Sequence, residues 1–188
     1  DDYVSVVEDS SNNQLDVLGN DVDIDGDDLD VIGVTQPPNG VVTFTVDFVY
    51  YTPDVNYVGS DQFNYTVNDG NGGADTAIVY VTVGGVNDPP VASDDAATVN
   101  EDSTNNQIDV LLNDNDPDGD NLTIVSVTSP SYGSSSTNGN YTFYTPNSDY
   151  TGSDSFTYTI SDGKGGTDIA TLNITINPVN DPPTANND

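Results

Sequence analysis

The chain has no histidine, cysteine, methionine or tryptophan, and a single cation, Lys164, against 32 acidic residues in 188. Without His or Cys there is no conventional ligand set for zinc, copper or non-haem iron, no thiol nucleophile and no Ser-His-Asp triad. One cation cannot form a phosphate clamp or a basic patch. A formal net charge of −31 therefore repels nucleic acid and anionic membrane surfaces. No apolar run reaches membrane-spanning length; the longest, around Ala77 to Val83, is strand-sized. With no cysteine, disulfides cannot staple the fold, which suits a cytosolic protein or a bacterial surface protein that uses metal instead. The sequence starts at Asp1 without a signal peptide, so a piece of a larger protein is expected.

What remains is carboxylate, and almost all of it is aspartate: only Glu8 and Glu101 are Glu, which leaves 30 Asp. A solvating acidic coat would use both acids freely. Aspartate is the residue of turns and calcium loops, because its short side chain folds back on the local backbone. Acidic loops on a β-rich frame are the expectation.

A shift of 93 residues superposes the chain on itself without a gap, and about half the aligned positions are identical. Glu8-Asp9-Ser10 falls on Glu101-Asp102-Ser103, Tyr51-Thr52-Pro53 on Tyr144-Thr145-Pro146, and Val86-Asn87-Asp88-Pro89-Pro90 on Val179-Asn180-Asp181-Pro182-Pro183. The expected organisation is repeat 1 over 1–85, a calcium-binding linker over 86–93, repeat 2 over 94–178, and the start of a further linker over 179–188.

Each repeat reads as seven strands. In the first these are 3–7, 14–18, 29–34, 41–45, 48–52, 61–68 and 74–83. Phe63, Tyr65 and Val67 alternate with Gln62, Asn64 and Thr66, and Phe156, Tyr158 and Ile160 repeat the pattern. Asn138-Gly139 marks a tight hairpin; the first repeat has Thr45-Val46 there, so a shifted turn is expected. Tyr57, Phe63 and Tyr65, with Tyr150, Phe156 and Tyr158, are candidate core. No stretch has helical period. The fold class is all-β, two tandem seven-stranded immunoglobulin-like (cadherin-like) β-sandwiches in an elongated arrangement.

Strand parity places the acids. The start of strand one and the loops after strands two and six share one end of a sandwich. The loops after strands one and five share the other end with the exit. In the second repeat the first end carries Asp114, Asp116, Asp118 and Asp120, with Asp162 and Asp168. In the first repeat the second end carries Glu8 and Asp61, and the connector Asn87-Asp88 lies between. So many carboxylates at one junction repel unless a cation neutralises them, and calcium accepts six to eight oxygens in irregular geometry. Asp114-x-Asp116-x-Asp118-Gly119 resembles the first half of an EF-hand loop. Val125 stands where that motif has its closing Glu, and Glu8 is the candidate replacement. The half-sites at the outer ends are Asp21, Asp23, Asp25 and Asp27 with Asp69 and Asp75, and Glu101 and Asp154 with Asn180 and Asp181. An exposed aromatic platform for carbohydrate would draw on the non-recurring Tyr3, Tyr80 and Tyr132.

On these residues the chain resembles the bacterial cadherin-like, immunoglobulin-like tandem repeats of large secreted adhesins and extracellular polysaccharide-degrading enzymes. Glu8, Asp116 and Asp118, Asp162, and Asn87-Asp88 fit slots of the cadherin pattern. The Asp-Arg-Glu element of that pattern is absent, with Gly59-Ser60-Asp61 in its place. The resemblance implies a non-enzymatic, calcium-binding spacer or adhesion module of a secreted or surface protein. Its partners would be neighbouring repeats and a polysaccharide or cell-surface ligand, with no nucleic acid and no membrane insertion. The alternative expectation is a calcium-dependent polysaccharide-binding module attached to an extracellular enzyme.

Overall fold

The computed structural model describes residues Asp1–Pro183. Of the expected closing linker over 179–188, the residues beyond Pro183 lie outside the described residues. Two compact units are present, Asp1–Val86 and Asn87–Asp188.

The first unit comprises β1 (Asp2–Val7), β2 (Asn13–Leu15), β3 (Asp30–Val34), β4 (Gly40–Phe44), β5 (Val49–Pro53), β6 (Gly59–Asn68) and β7 (Ala74–Gly84). They form a four-stranded sheet, β1-β7-β6-β3, and a three-stranded sheet, β2-β5-β4. All pairings are antiparallel except β1 with β7. Alternation decides which side faces in: Phe63, Tyr65, Val79, Val81 and Val83 are buried, against Leu15, Val42, Val49 and Tyr51 of the other sheet.

The second unit repeats this with β8 (Asp95–Asn100), β9 (Asn106–Ile108), β10 (Thr123–Val127), β11 (Gly133–Thr137), β12 (Thr142–Pro146), β13 (Gly152–Ser161) and β14 (Thr167–Asn177). Its sheets are β10-β13-β14-β8 and β11-β12-β9. The one helical element among the described residues is a single 3-10 turn, Leu111–Asn113. The strand after Gln14 is shorter than its sequence suggests, yet Val17 remains buried. The hairpin turn is not shifted between repeats. Phe44 pairs with Val49 as Thr137 pairs with Thr142, and Gly139 takes φ +93°.

Periodicity missed two core residues, Tyr51 and Tyr144, both fully buried. Tyr57 and Tyr150 are only partly buried against the cores. Each buried tyrosine lies under a glycine. A Cβ on Gly133 would stand 2.6 Å from the Tyr144 ring and 2.5 Å from the Thr145 carbonyl oxygen. Gly133→Ala is therefore expected to cost about 1–3 kcal/mol by overpacking, read from urea denaturation.

Strand parity holds within each unit. Asn20, after β2, donates to Asp2 at the start of β1. Glu8, after β1, accepts from the N–H of Val86 beyond β7. The fold therefore gathers acids at the ends of each sandwich.

Candidate metal centre

In the second unit the loop between β9 and β10 turns around one side chain. Asp116 Oδ1 accepts the N–H groups of Asp118 and Asp120 at 3.0 and 3.1 Å. Its carbonyl takes the N–H of Gly119, whose φ of +75° only glycine adopts easily. Asp116, Asp118 and Asp120 each then present a carboxylate oxygen within 4.8 Å of the others.

Asp116 is only 6% exposed, and its Oδ2 accepts no hydrogen bond. The Oδ2 atoms of Asp114 and Asp120 are buried in the same condition. A buried carboxylate oxygen without a donor is costly, and three on one loop call for a cation. Lys164 supplies part of this, with Nζ 2.8 Å from Asp120 Oδ1.

The connector is laced to the same end of this unit. Asp88 N–H donates to Asp118 Oδ2, and Asn87 Nδ2 donates to Asp162 Oδ2, both at 2.8 Å. Asp162 Oδ1 also takes the N–H groups of Lys164, Gly165 and Gly166. The amide of Asn87 and these backbone donors hold the Asp162 carboxyl below its ordinary pKa, so it is anionic well into acid. Asp168 Oδ2 accepts from Ala92 N–H, and Asp114 Oδ1 from Ser93 N–H and the Tyr158 hydroxyl. Burial pushes the Asp114 and Asp95 carboxyls upward in pKa.

The side chains gathered here offer oxygens, carboxylate or amide. That set fits a hard cation, and its irregular spacing fits calcium better than the strict octahedron of magnesium.

The equivalent end of the first unit is more open. Asp23 Oδ1 builds the same turn, accepting the N–H groups of Asp25 and Asp27. Asp21, Asp23, Asp69 and Asp75 line a cleft of about 200 Å³. Asp25 and Asp27 stay exposed, and Asp27 takes a hydrogen bond from Asn71, which stands where the second repeat has Lys164.

At the opposite ends, Glu8 and Glu101 are buried and accept the N–H groups of Val86 and Val179. In the second unit, Asp102 and Asp149 join Asp181 in a second group of oxygens within 4.8 Å. The sequence reading missed Asp102 and Asp149, because the first repeat has Asn56 in place of Asp149. The Asn180 side chain donates to the Asp181 carbonyl.

Asp61 and Asp154 are engaged inside their own units. Asp154 accepts the N–H groups of Ser131, Tyr132 and Ser155 and the hydroxyl of Tyr144. Asp61 is held likewise by Asn39, Gln62 and Tyr51. Each is an internal acceptor for a buried tyrosine and a loop. Asp154→Ala is expected to cost about 2–4 kcal/mol through orphaned donors, with the response to calcium unchanged, measured by thermal melts with and without chelator.

Among the tyrosines proposed for carbohydrate, Tyr3 and Tyr80 stack on each other with centroids 5.0 Å apart. Tyr132 instead covers Tyr150 at 4.2 Å and so spends a ring face inside its own unit.

Two seven-stranded sandwiches, each closing its larger sheet with a parallel first and last strand and carrying acids on its end loops, define an immunoglobulin-like, cadherin-like repeat protein. The model of the bacterial Ig domain family matches residues 1–82 and 87–175, and the chain belongs to that family. Among solved structures, the chain is similar to Drosophila N-cadherin EC1-4 (16% identity, TM-score 0.59, 93% of this chain and 48% of that one). It is also similar to human CDH23 EC21-23 (17% identity, TM-score 0.58, 93% and 66%). An endo-fucoidan hydrolase of glycoside hydrolase family 107 aligns at 21% identity over 94% of this chain and 27% of that one, but its TM-score of 0.39 carries no argument. No curated protein matches.

Proposed function

We propose that this chain is a calcium-binding, calcium-rigidified extracellular module, acting as a spacer or adhesion repeat within a larger secreted or surface protein. The observation that carries this reading is Asp116: a buried carboxylate with one oxygen free of hydrogen bonds, grouped with the carboxylates of Asp118 and Asp120 within 4.8 Å on a turn that resembles a calcium loop. Asp114, Asp118, Asp120 and Asp162, with Asn87 and Asp88, would complete the oxygen set, and Asp168 would anchor the connector beside it. The proposal extends to Glu8, whose carboxylate is tied to Val86, the residue preceding Asn87 in the chain.

Bacterial Ig and cadherin-like domains are generally extracellular and typically non-catalytic, which supports the placement. The natural partners of such domains are neighbouring repeats, toward which Glu101, Asp102, Asp149 and Asp181 would act as a half-site. The expected affinity is that of extracellular modules, on the order of 0.1–1 mM. Small-angle scattering with calcium and then with chelator tests the rigidifying role. A narrower distribution of particle dimensions in calcium supports it, and identical profiles reject it.

A further inference from the structure

The outward face of the first unit's larger sheet is uncharged over two register rows, as is the equivalent face of the second unit. Two register rows cross it: Tyr3–Tyr80–Gln62 and Ser5–Thr82–Ser60. None of the six side chains is charged, in a molecule with 32 acids. Asp1 accepts from the N–H of Ile78, and Asp61 is buried on Tyr51.

On this neutral ground stand two tyrosines, with rings 5.0 Å apart and inclined by 15°. β1 is the edge strand, and Tyr3 is 80% exposed. A groove of about 510 Å³ is lined by Tyr3, Tyr80, Gln62, Ser60, Thr82 and Pro38, together with the buried Asp61 and Val81. Its size falls in the range of ligand sites, roughly 300–1,000 Å³.

The fold does not need these rings. The second unit builds the same sheet with Ala96, Asn173 and Ser155 at the positions of Tyr3, Tyr80 and Gln62. An exposed tyrosine stacked on a half-buried one, neither part of the hydrophobic core and both flanked by an amide and hydroxyls, suits a ligand with apolar ring faces and polar edges. A pyranose chain has that form: its C–H face stacks on tyrosine and its equatorial hydroxyls reach Gln62, Ser60 and Thr82. The net charge of −31 rejects sulfated or uronic acid polymers and leaves neutral ones.

We propose that the Tyr3–Tyr80–Gln62 face of the first unit binds a neutral polysaccharide of hexopyranose units. The test is retention of the full chain, in calcium, on insoluble cellulose, mannan, β-1,3-glucan and chitin, with a sulfated polysaccharide as the anionic control. The variant is Tyr3→Ala/Tyr80→Asn, which installs the residues the second unit already folds with. Its melting curve and calcium response serve as the check on folding, and Gln62→Ala serves as a milder second variant.

Retention on at least one neutral polymer is expected. The double variant should bind at least tenfold more weakly, with its calcium response intact, and Gln62→Ala should fall between. Three results would each overturn the proposal: no retention of the parent chain on any neutral polymer, equal retention of the double variant, or retention on the sulfated polymer alone. Loss of the calcium response in every variant and in the parent chain would instead count against the metal reading.

Discussion

Raising free calcium from chelated conditions to 10 mM is expected to lift the melting temperature of the second unit by about 10–20 °C. The size follows from linkage. At a dissociation constant of about 0.1 mM, 10 mM ligand is a hundredfold excess and stabilises the folded state by about 2.7 kcal/mol. Each kcal/mol moves the midpoint of a domain of this size by roughly 4–8 °C. The physical source is the loop between β9 and β10. Without a cation, the buried Oδ2 atoms of Asp114, Asp116 and Asp120 have no donor and repel one another, with Lys164 alone to offset them. Differential scanning calorimetry would resolve the two units. The first unit should respond less, because Asp25 and Asp27 of its loop are solvated and lose little without a cation. A shift of equal size with sodium or magnesium would show general screening rather than a site.

Asp116→Asn carries the second large effect, and its value lies in separating two duties of one side chain. Oδ1 builds the turn by accepting from Asp118 and Asp120 N–H, and asparagine keeps that acceptor. Oδ2, which accepts no hydrogen bond, is the oxygen that would be offered to the ion, and asparagine replaces it with an amide donor and removes a charge. Calcium affinity should therefore fall more than tenfold, while the calcium-free protein melts at the same temperature or higher. Asp116→Ala should lower both, since two backbone N–H groups lose their acceptor at about 1–3 kcal/mol. Calcium titrations of the two variants, followed by thermal melts in chelator, read this contrast. A loss of stability in Asp116→Asn equal to that in Asp116→Ala would make the residue structural only.

Much of this was legible from residue order. Aspartates at fixed spacing with Gly119 at the sixth position specify a turn through local backbone chemistry, and strand alternation fixes which loops share an end. Those are local or period-two rules, and they located the β9–β10 loop and the connector contacts. Recurrence between the repeats was less discriminating. Asp61 and Asp154 recur together with Tyr51 and Tyr144, whose hydroxyls they accept, and a buried hydroxyl demands an acceptor as strictly as a metal demands a ligand. The pairs Tyr51 with Asp61 and Tyr144 with Asp154 carry the same separation, a signal visible only once those tyrosines are known to be buried. Asp102, Asp149 and Lys164 escaped for the opposite reason. Their contacts are made across the fold, and in the last two the first repeat holds asparagine, so recurrence passed them over.

Equilibrium dialysis with radioactive calcium at fixed ionic strength decides whether calcium is bound at sites or merely attracted by charge. Saturable uptake with a midpoint on the order of 0.1–1 mM, largely lost in Asp116→Asn, is the predicted result. Uptake that rises without saturation, is matched by magnesium and is unchanged by the substitution would contradict it.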